Sequence, residues 1–243
     1  MYAAGQAVMA LVLWEAMLAE PPSRPEGAPS SDALRAALDR AMDHFSGPYW
    51  DFVVRDFFFF EENWHCLAAR AAIAHHRRDG YERFCLDYVT MKARLVHDEA
   101  PGAEGRLVGA YGFGPVCPPH NTATAGFGEA LAAAMAVARA RGEEPPWHDR
   151  AMRDVLGYLL VQQWTDETCL ACTHKLRIPG AFSEHFGEPT IRIDYVQHAL
   201  AALGHGGQML RLAGGARAGG PPGGGRAPAA PPAGGRPWPR RPG

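Results

Sequence analysis

Carboxylates, histidines and amides cluster at three places in this chain, and their types suit acid–base chemistry on a hydroxylated substrate. EENWHC supplies Glu62, Asn63, Trp64 and His65; HNTATAG supplies His120 and Asn121, with Glu129 two turns further on; IRIDYVQH supplies Arg192, Asp194 and His198. Paired carboxyl groups can divide glycosidic chemistry between them, one donating a proton while the other activates water or attacks carbon. Glu62, Glu129, Glu184 and Asp194 are the carboxylates to consider. The assignment made from the sequence is Glu62, His120, Glu129 and Asp194 as catalytic groups. Trp50, Asn63, Trp64, His65, Asn121 and Arg192 are the expected substrate-binding residues, the tryptophans by stacking and the rest by hydrogen bonding or charge.

Each assignment has a plain structural alternative. Thr122 or Thr124 can cap a helix without any ligand. Glu129 falls inside a nearly all-apolar helix, where an unpaired carboxylate is costly, so a structural partner is expected for it. Asp194 and His198 stand at i, i+4 and can pair along their own helix. Trp50 belongs to the run YWDFVVRDFFFF, for which packing is the more frequent role of aromatic side chains. GAYGFGP, residues 109–115, has glycine spacing that resembles a phosphate loop only superficially, with no strand before it and no lysine after it.

Four of the five cysteines, Cys66, Cys117, Cys169 and Cys172, map to the same loops, while Cys85 sits in a helical stripe as a small buried hydrophobe. CLACTH contains C-x-x-C followed by His174, and CPPH contributes Cys117 near His120. Disulfides that pin the loops, free thiols, and a zinc site of Cys117, Cys169, Cys172 and His174 all stay open. No metal is the assignment, with zinc as the weaker alternative. A second closely spaced Cys/His pair of the zinc-finger type is lacking.

These groups need a scaffold, and apolar spacing gives about seven helical segments with almost no strand signal. The second, fourth and sixth are amphipathic: Leu34, Leu38, Met42 and Phe45 form one stripe, Tyr81, Phe84, Cys85, Tyr88, Met91 and Leu95 another, and Met152, Val155, Leu156, Leu159 and Leu160 a third. Each buries one face and wets the other. The first, third, fifth and seventh (GQAVMALVLWEAML, NWHCLAARAAIAHH, TATAGFGEALAAAMAVA and IRIDYVQHALAAL) are apolar or small around most of their circumference, so they are expected to be surrounded. Ala71, Ala133, Ala134 and Ala201 permit close helix approach. The joins alternate in length as well. Those at about 46–61, 97–122 and 164–190 are long, and those near Asp79-Gly80 and from Gly142 to Trp147 are short. In an up-down array every second join lies at one end, so the three long joins are expected on one face, where function usually sits.

Alternating inner and outer helices with a YAAGQAVMAL-like opening resemble the α/α toroid proteins: the six-hairpin glycosidases, the N-acylglucosamine epimerase-like proteins and the C-terminal domain of glucuronyl C5-epimerases. The resemblance covers about residues 1–205, is one of pattern, and spans about three and a half hairpins. It implies an all-α fold of antiparallel helical hairpins in a toroid-like or open-arc arrangement. It also implies a sugar or uronate held at the loops before the inner helices, with hydrolase or epimerase chemistry. A non-catalytic helical scaffold or binding module with cysteine-pinned loops is the alternative, and a metal-dependent enzyme using the CxxC loop is the weaker one.

The remaining features bound these readings. With 24 basic and 26 acidic side chains the formal charge is -2, so no global field favours nucleic acid or an anionic membrane, and the expected partner is a small-molecule carbohydrate. The first twenty residues lack a basic n-region and a small-x-small cleavage site, and Gln6 and Glu15 interrupt them, so a buried helix is expected there. The cysteines point toward export while no convincing signal accompanies them, which leaves cytoplasm and periplasm both open. Residues 206–243 read as a Gly/Pro/Arg-rich disordered tail, too poor in apolar side chains to offset the entropy of ordering.

Overall fold

The computed structural model describes residues 2–19, 25–51, 63–98, 107–112, 119–169, 178–185 and 188–218. Its main elements in chain order are α1 (Tyr2–Ala19), α2 (Ser31–Ser46), α3 (Asn63–Ala72), α4 (Asp79–Ala93), α5 (Asn121–Arg141), α6 (Trp147–Gln162), β1 (Ser183–His185), β2 (Glu188–Ile191) and α7 (Ile193–Ala218). Among the described residues the fold is all-α apart from one two-stranded antiparallel hairpin, in which Ser183 faces Ile191 and His185 faces Glu188. The hairpin lies within the third long join, where periodicity had given no strand. α7 also continues through Ala218, with Met209 buried, so the helix runs into the stretch that begins at residue 206. Residues 219–243 lie outside the described set.

The odd helices form one row: α1 packs on α3, α3 on α5 and α5 on α7. The even helices cover it from one side, α2 against α1, α4 against α3 and α5, and α6 against α5 and α7. The alternation expected from helix character is therefore present. α5 is the centre. Its residues from Ala123 to Met135 are all buried, and Ala130, Leu131, Ala132, Ala133 and Ala134 have no exposed surface. Small side chains make this possible. A Cβ at Gly128 would stand 3.0 Å from Val155 of α6 and 3.1 Å from Ala202 of α7. α1 departs from the expectation that odd helices are surrounded, because only its α2/α3 side is covered.

The two short joins meet at one end and are clamped there by charge. Glu82 is buried between Arg77, at 2.7 Å, and Arg141, at 2.9 Å, and Arg141 also reaches Asp79 at 2.6 Å. Both guanidinium groups hold the Glu82 carboxyl below its ordinary range against the opposing effect of burial. Nearby, Arg35 pairs with buried Glu15, His76 with Asp39 and Arg78 with Asp43. The Cys66–Cys85 disulfide ties α3 to α4 with Cα atoms 5.0 Å apart, so Cys85 is a crosslinked residue and not merely a small hydrophobe.

The second long join is held against the outer layer. His97 N–H donates to Ala110, Gly109 N–H to His97 and Gly112 N–H to Leu95, closing an isolated bridge between Val96 and Tyr111. Gly109 makes this docking possible: its φ is +88°, and an added Cβ would lie 2.0 Å from the Asp154 carbonyl oxygen of α6. Both conditions exclude a side chain.

Two predictions follow from this packing. Gly109→Ala is expected to cost about 2–3 kcal/mol in urea unfolding, since strain and a backbone collision act together; an unchanged midpoint would contradict the docking. His65 and His148 are both buried, and burial pushes each down from 6.5 to about 4. Below 6.5 the unfolded chain binds protons that the folded chain refuses. The stability tied to these neutral imidazoles is thus complete above pH 6.5 and is lost as pH falls toward 4. His148→Gln is expected to flatten the pH dependence of unfolding free energy in that window by roughly 1 kcal/mol per pH unit.

Candidate functional site

The first turn of α5 builds the upper rim. His120 is the N-cap, its Nδ1 accepting the Ala123 N–H at 3.3 Å. In the neutral ring the proton then sits on Nε2, which donates to Glu184 Oε1 at 3.0 Å. The Tyr195 hydroxyl of α7 donates to the other oxygen, Glu184 Oε2, at 2.8 Å. One carboxylate of β1 thereby joins the starts of α5 and α7. That hydroxyl, with the nearby His120 and His185, lowers the Glu184 carboxyl below its ordinary range. Burial and the same carboxylate raise the Tyr195 phenol.

Asn121 is buried beside His120 and bridges three elements. Its amide donates to the Ser183 carbonyl at 2.9 Å, while its oxygen accepts from the Tyr158 hydroxyl of α6 at 2.8 Å. Thr124, expected as a cap, lies inside the first turn; it donates to the His120 carbonyl and accepts the Tyr111 N–H at 3.0 Å. The joins before α5 and α7 are thus interlocked. At the outer edge of the rim, the Arg192 guanidinium lies 4.9 Å from the centre of the Tyr195 ring and pairs with Asp194 at 2.9 Å. That pair raises the guanidinium's proton affinity.

A second polar group lies deeper, where Glu129 of α5 meets its neighbours. Glu129 is 1% exposed, and its Oε2 accepts from Asn63 Nδ2 at 2.9 Å and from His198 Nδ1 at 2.8 Å. The expected structural partner is therefore a pair of residues from α3 and α7. The contact fixes the ring proton of His198 on Nδ1 when the imidazole is neutral. Trp64 places its ring edge toward His198, with centroids 6.3 Å apart. Asn63, the first described residue of α3, stands level with the ninth residue of α5.

The structure thus brings His120 and Asn121 to the upper rim, Arg192 and Asp194 to its edge, and Asn63, Trp64 and Glu129 to the deeper seam. It draws two expected binding residues away. His65 is wholly buried against Phe45, Tyr81 and Phe84, with Nδ1 2.6 Å from the Tyr81 hydroxyl, because its side of α3 faces the outer layer. Trp50 packs its ring on Phe84, 5.0 Å between centroids. Both placements have one cause: an aromatic or imidazole ring gains from core contact. Asp194 bonds to Arg192 and His198 to Glu129, in place of the i, i+4 pair between them. Glu62 lies outside the described residues.

Of the zinc alternative, Cys117, Cys172 and His174 also lie outside the described residues. Cys169 is disulfide-bonded, and a sulfur in a disulfide is no thiolate ligand. Among the described residues no group of three or more His, Cys, Asp or Glu could hold a metal ion, and no helix is long and apolar enough to cross a membrane.

Tyr195 and Tyr158 were not picked out from the sequence. Tyr195 follows Asp194 directly, so the polar opening of α7 was a usable signal, whereas the Tyr158–Asn121 bond spans 37 positions and leaves no local trace. The chain matches no protein-family model, and no curated protein and no solved structure is significantly similar to it.

Proposed function

We propose that this chain binds a hydroxylated, uronate-type carbohydrate at the rim where α5 and α7 begin, and acts on it by acid–base chemistry of the epimerase or glycoside hydrolase kind. The observation that carries this reading is the chain of hydrogen bonds from His120 through Glu184 to Tyr195, at the meeting of two long joins. His120 and Glu184 are about one-third exposed, so a ligand can reach them. An imidazole hydrogen-bonded to a carboxylate is the arrangement of a general acid–base pair. Arg192 beside Tyr195 offers a cation to a sugar carboxylate, and the free N–H groups of two helix starts add partial positive charge. Catalytic weight thus rests on His120 and Glu184, with Asn121 as a positioning residue. Glu129 is too deeply buried to meet substrate and orients His198 instead.

The scaffold reading has an observation of its own. The deeper seam is filled, its carboxylate accepting from both the amide and the imidazole, and disulfides at Cys66–Cys85 and Cys169 stiffen the body. The two readings predict different thermal shifts. With a panel of glucuronate, galacturonate, their oligomers and neutral oligosaccharides, the acid–base reading expects the wild type to be stabilised by at least one uronate. That shift should vanish in His120→Ala and Glu184→Gln but persist in Glu129→Gln, relative to each variant's own melting temperature. No response to any panel member, or a response unchanged in both rim variants, would leave the scaffold.

A further inference from the structure

α1 has the sequence of a surrounded helix and the surroundings of a surface one. Apolar residues occur all around YAAGQAVMALVLWEAMLA, and a helix of that kind is stable only when covered on every side. Yet Ala3, Gln6, Ala7, Ala10, Leu13, Trp14 and Met17 all lie on one exposed flank, with Leu13 47%, Trp14 38% and Met17 64% exposed. That flank carries no charged side chain. At the other end of the row, α7 exposes Ile193 at 89% and Leu200 at 56%, with Gln197, Gly204, Gln208 and Arg211 on the same stripe. Beside it, α6 exposes Leu160 and Val161.

Among the described residues, every large apolar side chain with substantial exposure belongs to α1, to α6, or to the Ile191–Leu200 stretch. The middle of the array has none. A stacked array whose end members keep apolar outer faces is uncapped, since terminal units need polar outer faces to remain separate in water. We propose that copies of this chain associate head to tail, the open flank of α1 in one copy packing beside the open flank of α7 in the next.

Three features favour that pairing over others. It repeats the contact already used within the chain, where odd helices run parallel: Gly5 of α1 meets Trp64 and His65 at the start of α3, and Gly128 and Arg139 of α5 meet Ala202 and Met209 of α7 in the same order. The two flanks are also complementary in size. α1 is small in its first half, at Ala3, Ala7 and Ala10, and large in its second, at Leu13, Trp14 and Met17; α7 is apolar and large first, at Ile193 and Leu200, then small at Gly204 before polar Gln208 and Arg211. Parallel alignment therefore sets bulky residues of each helix against small residues of the other, as interdigitated packing requires. The α1 flank, lacking charge, offers nothing to an acidic or basic partner. A heterologous contact of this kind closes into a ring or grows into a filament, according to the rotation between copies.

The test uses the full chain by sedimentation velocity, with Met17→Glu and Leu200→Glu. Both positions are exposed in the single chain, so circular dichroism should show both variants folded. The wild type is expected to run as an assembly of two or more copies, and each variant to weaken it at least tenfold. Mixing the variants is the decisive arm. Met17→Glu retains a working α7 flank and Leu200→Glu a working α1 flank, so an equimolar mixture should recover a species of two chains. A monomeric wild type would overturn the proposal, whether it floats with neutral lipid vesicles or not. So would assembly lost in Met17→Glu but intact in Leu200→Glu, which is the signature of α1 packing on its own twofold copy.

Discussion

A carboxylate in the middle of α5 constrains the rest of the body. α5 is built almost wholly from Ala, Gly, Leu, Met, Phe and Val, and Glu129 is the one acid among them. Leaving it unpaired inside that helix would cost several kcal/mol. The two neighbours that satisfy it come from different hairpins, Asn63 of α3 and His198 in the second turn of α7. Three odd helices are thereby fixed in height as well as in order. A slide of α3 by one residue would remove Asn63 from reach, and rotation of α7 would turn His198 away. Small residues let the helices close in, and the polar contact selects which of the close packings is adopted.

The two ends of the array are stabilised by different physics. At the short-join end, guanidinium groups bridge buried and exposed carboxylates, and Arg77 and Arg141 share Glu82 across two consecutive hairpins. Turns of this length leave little freedom, so the charges lock what the chain already constrains. At the other end long joins need other anchors. They obtain them from neutral or partly neutral contacts: a glycine against the α6 backbone, an asparagine between a carbonyl and a phenol, and a histidine acting as a helix cap. A rigid base with a hydrogen-bonded rim is what positions His120 and Glu184 together, although they lie 64 positions apart in sequence.

The alternation of helix types was legible because it depends on period alone. Leu34, Leu38 and Met42 are buried as their stripe requires, and α5 is surrounded as its lack of polarity requires. The two short joins likewise meet at one end, where Arg141 reaches Asp79 and Glu82. Pairings were not legible. The sequence places Glu184 near no particular histidine, and the β1–β2 hairpin that carries it has strands too short for alternation to register. His65 looked identical in kind to His120, a histidine at a helix start. The difference is rotational: one faces the outer layer and the other the rim, and rotation about a helix axis is decided by the neighbours. The end of α7 was not legible, because the helix runs through Gly204, Gly206 and Gly207, residues of low helix propensity. In the structure Gly206 is buried under Met152 and Leu156, where a Cβ would stand 2.4 Å from the Met152 sulfur. Glycine there serves close packing, and composition alone cannot distinguish that use from disorder.

One turn of chain carries two separate demands. Arg192, Asp194 and Tyr195 belong to the rim, while Ile193, between them, projects almost fully into solvent on the open flank of α7. A helix start is its least constrained turn, since its first N–H groups lack partners within the helix. Tyr195 is anchored through Glu184, but Arg192 and Asp194 are tied chiefly to each other, so their position depends on how firmly the turn itself is held. Whatever covers Ile193 restrains that turn from the opposite side. The apolar flank and the polar rim are thus mechanically one element, and order at the rim is expected to follow occupancy of the flank through the backbone of residues 192–195.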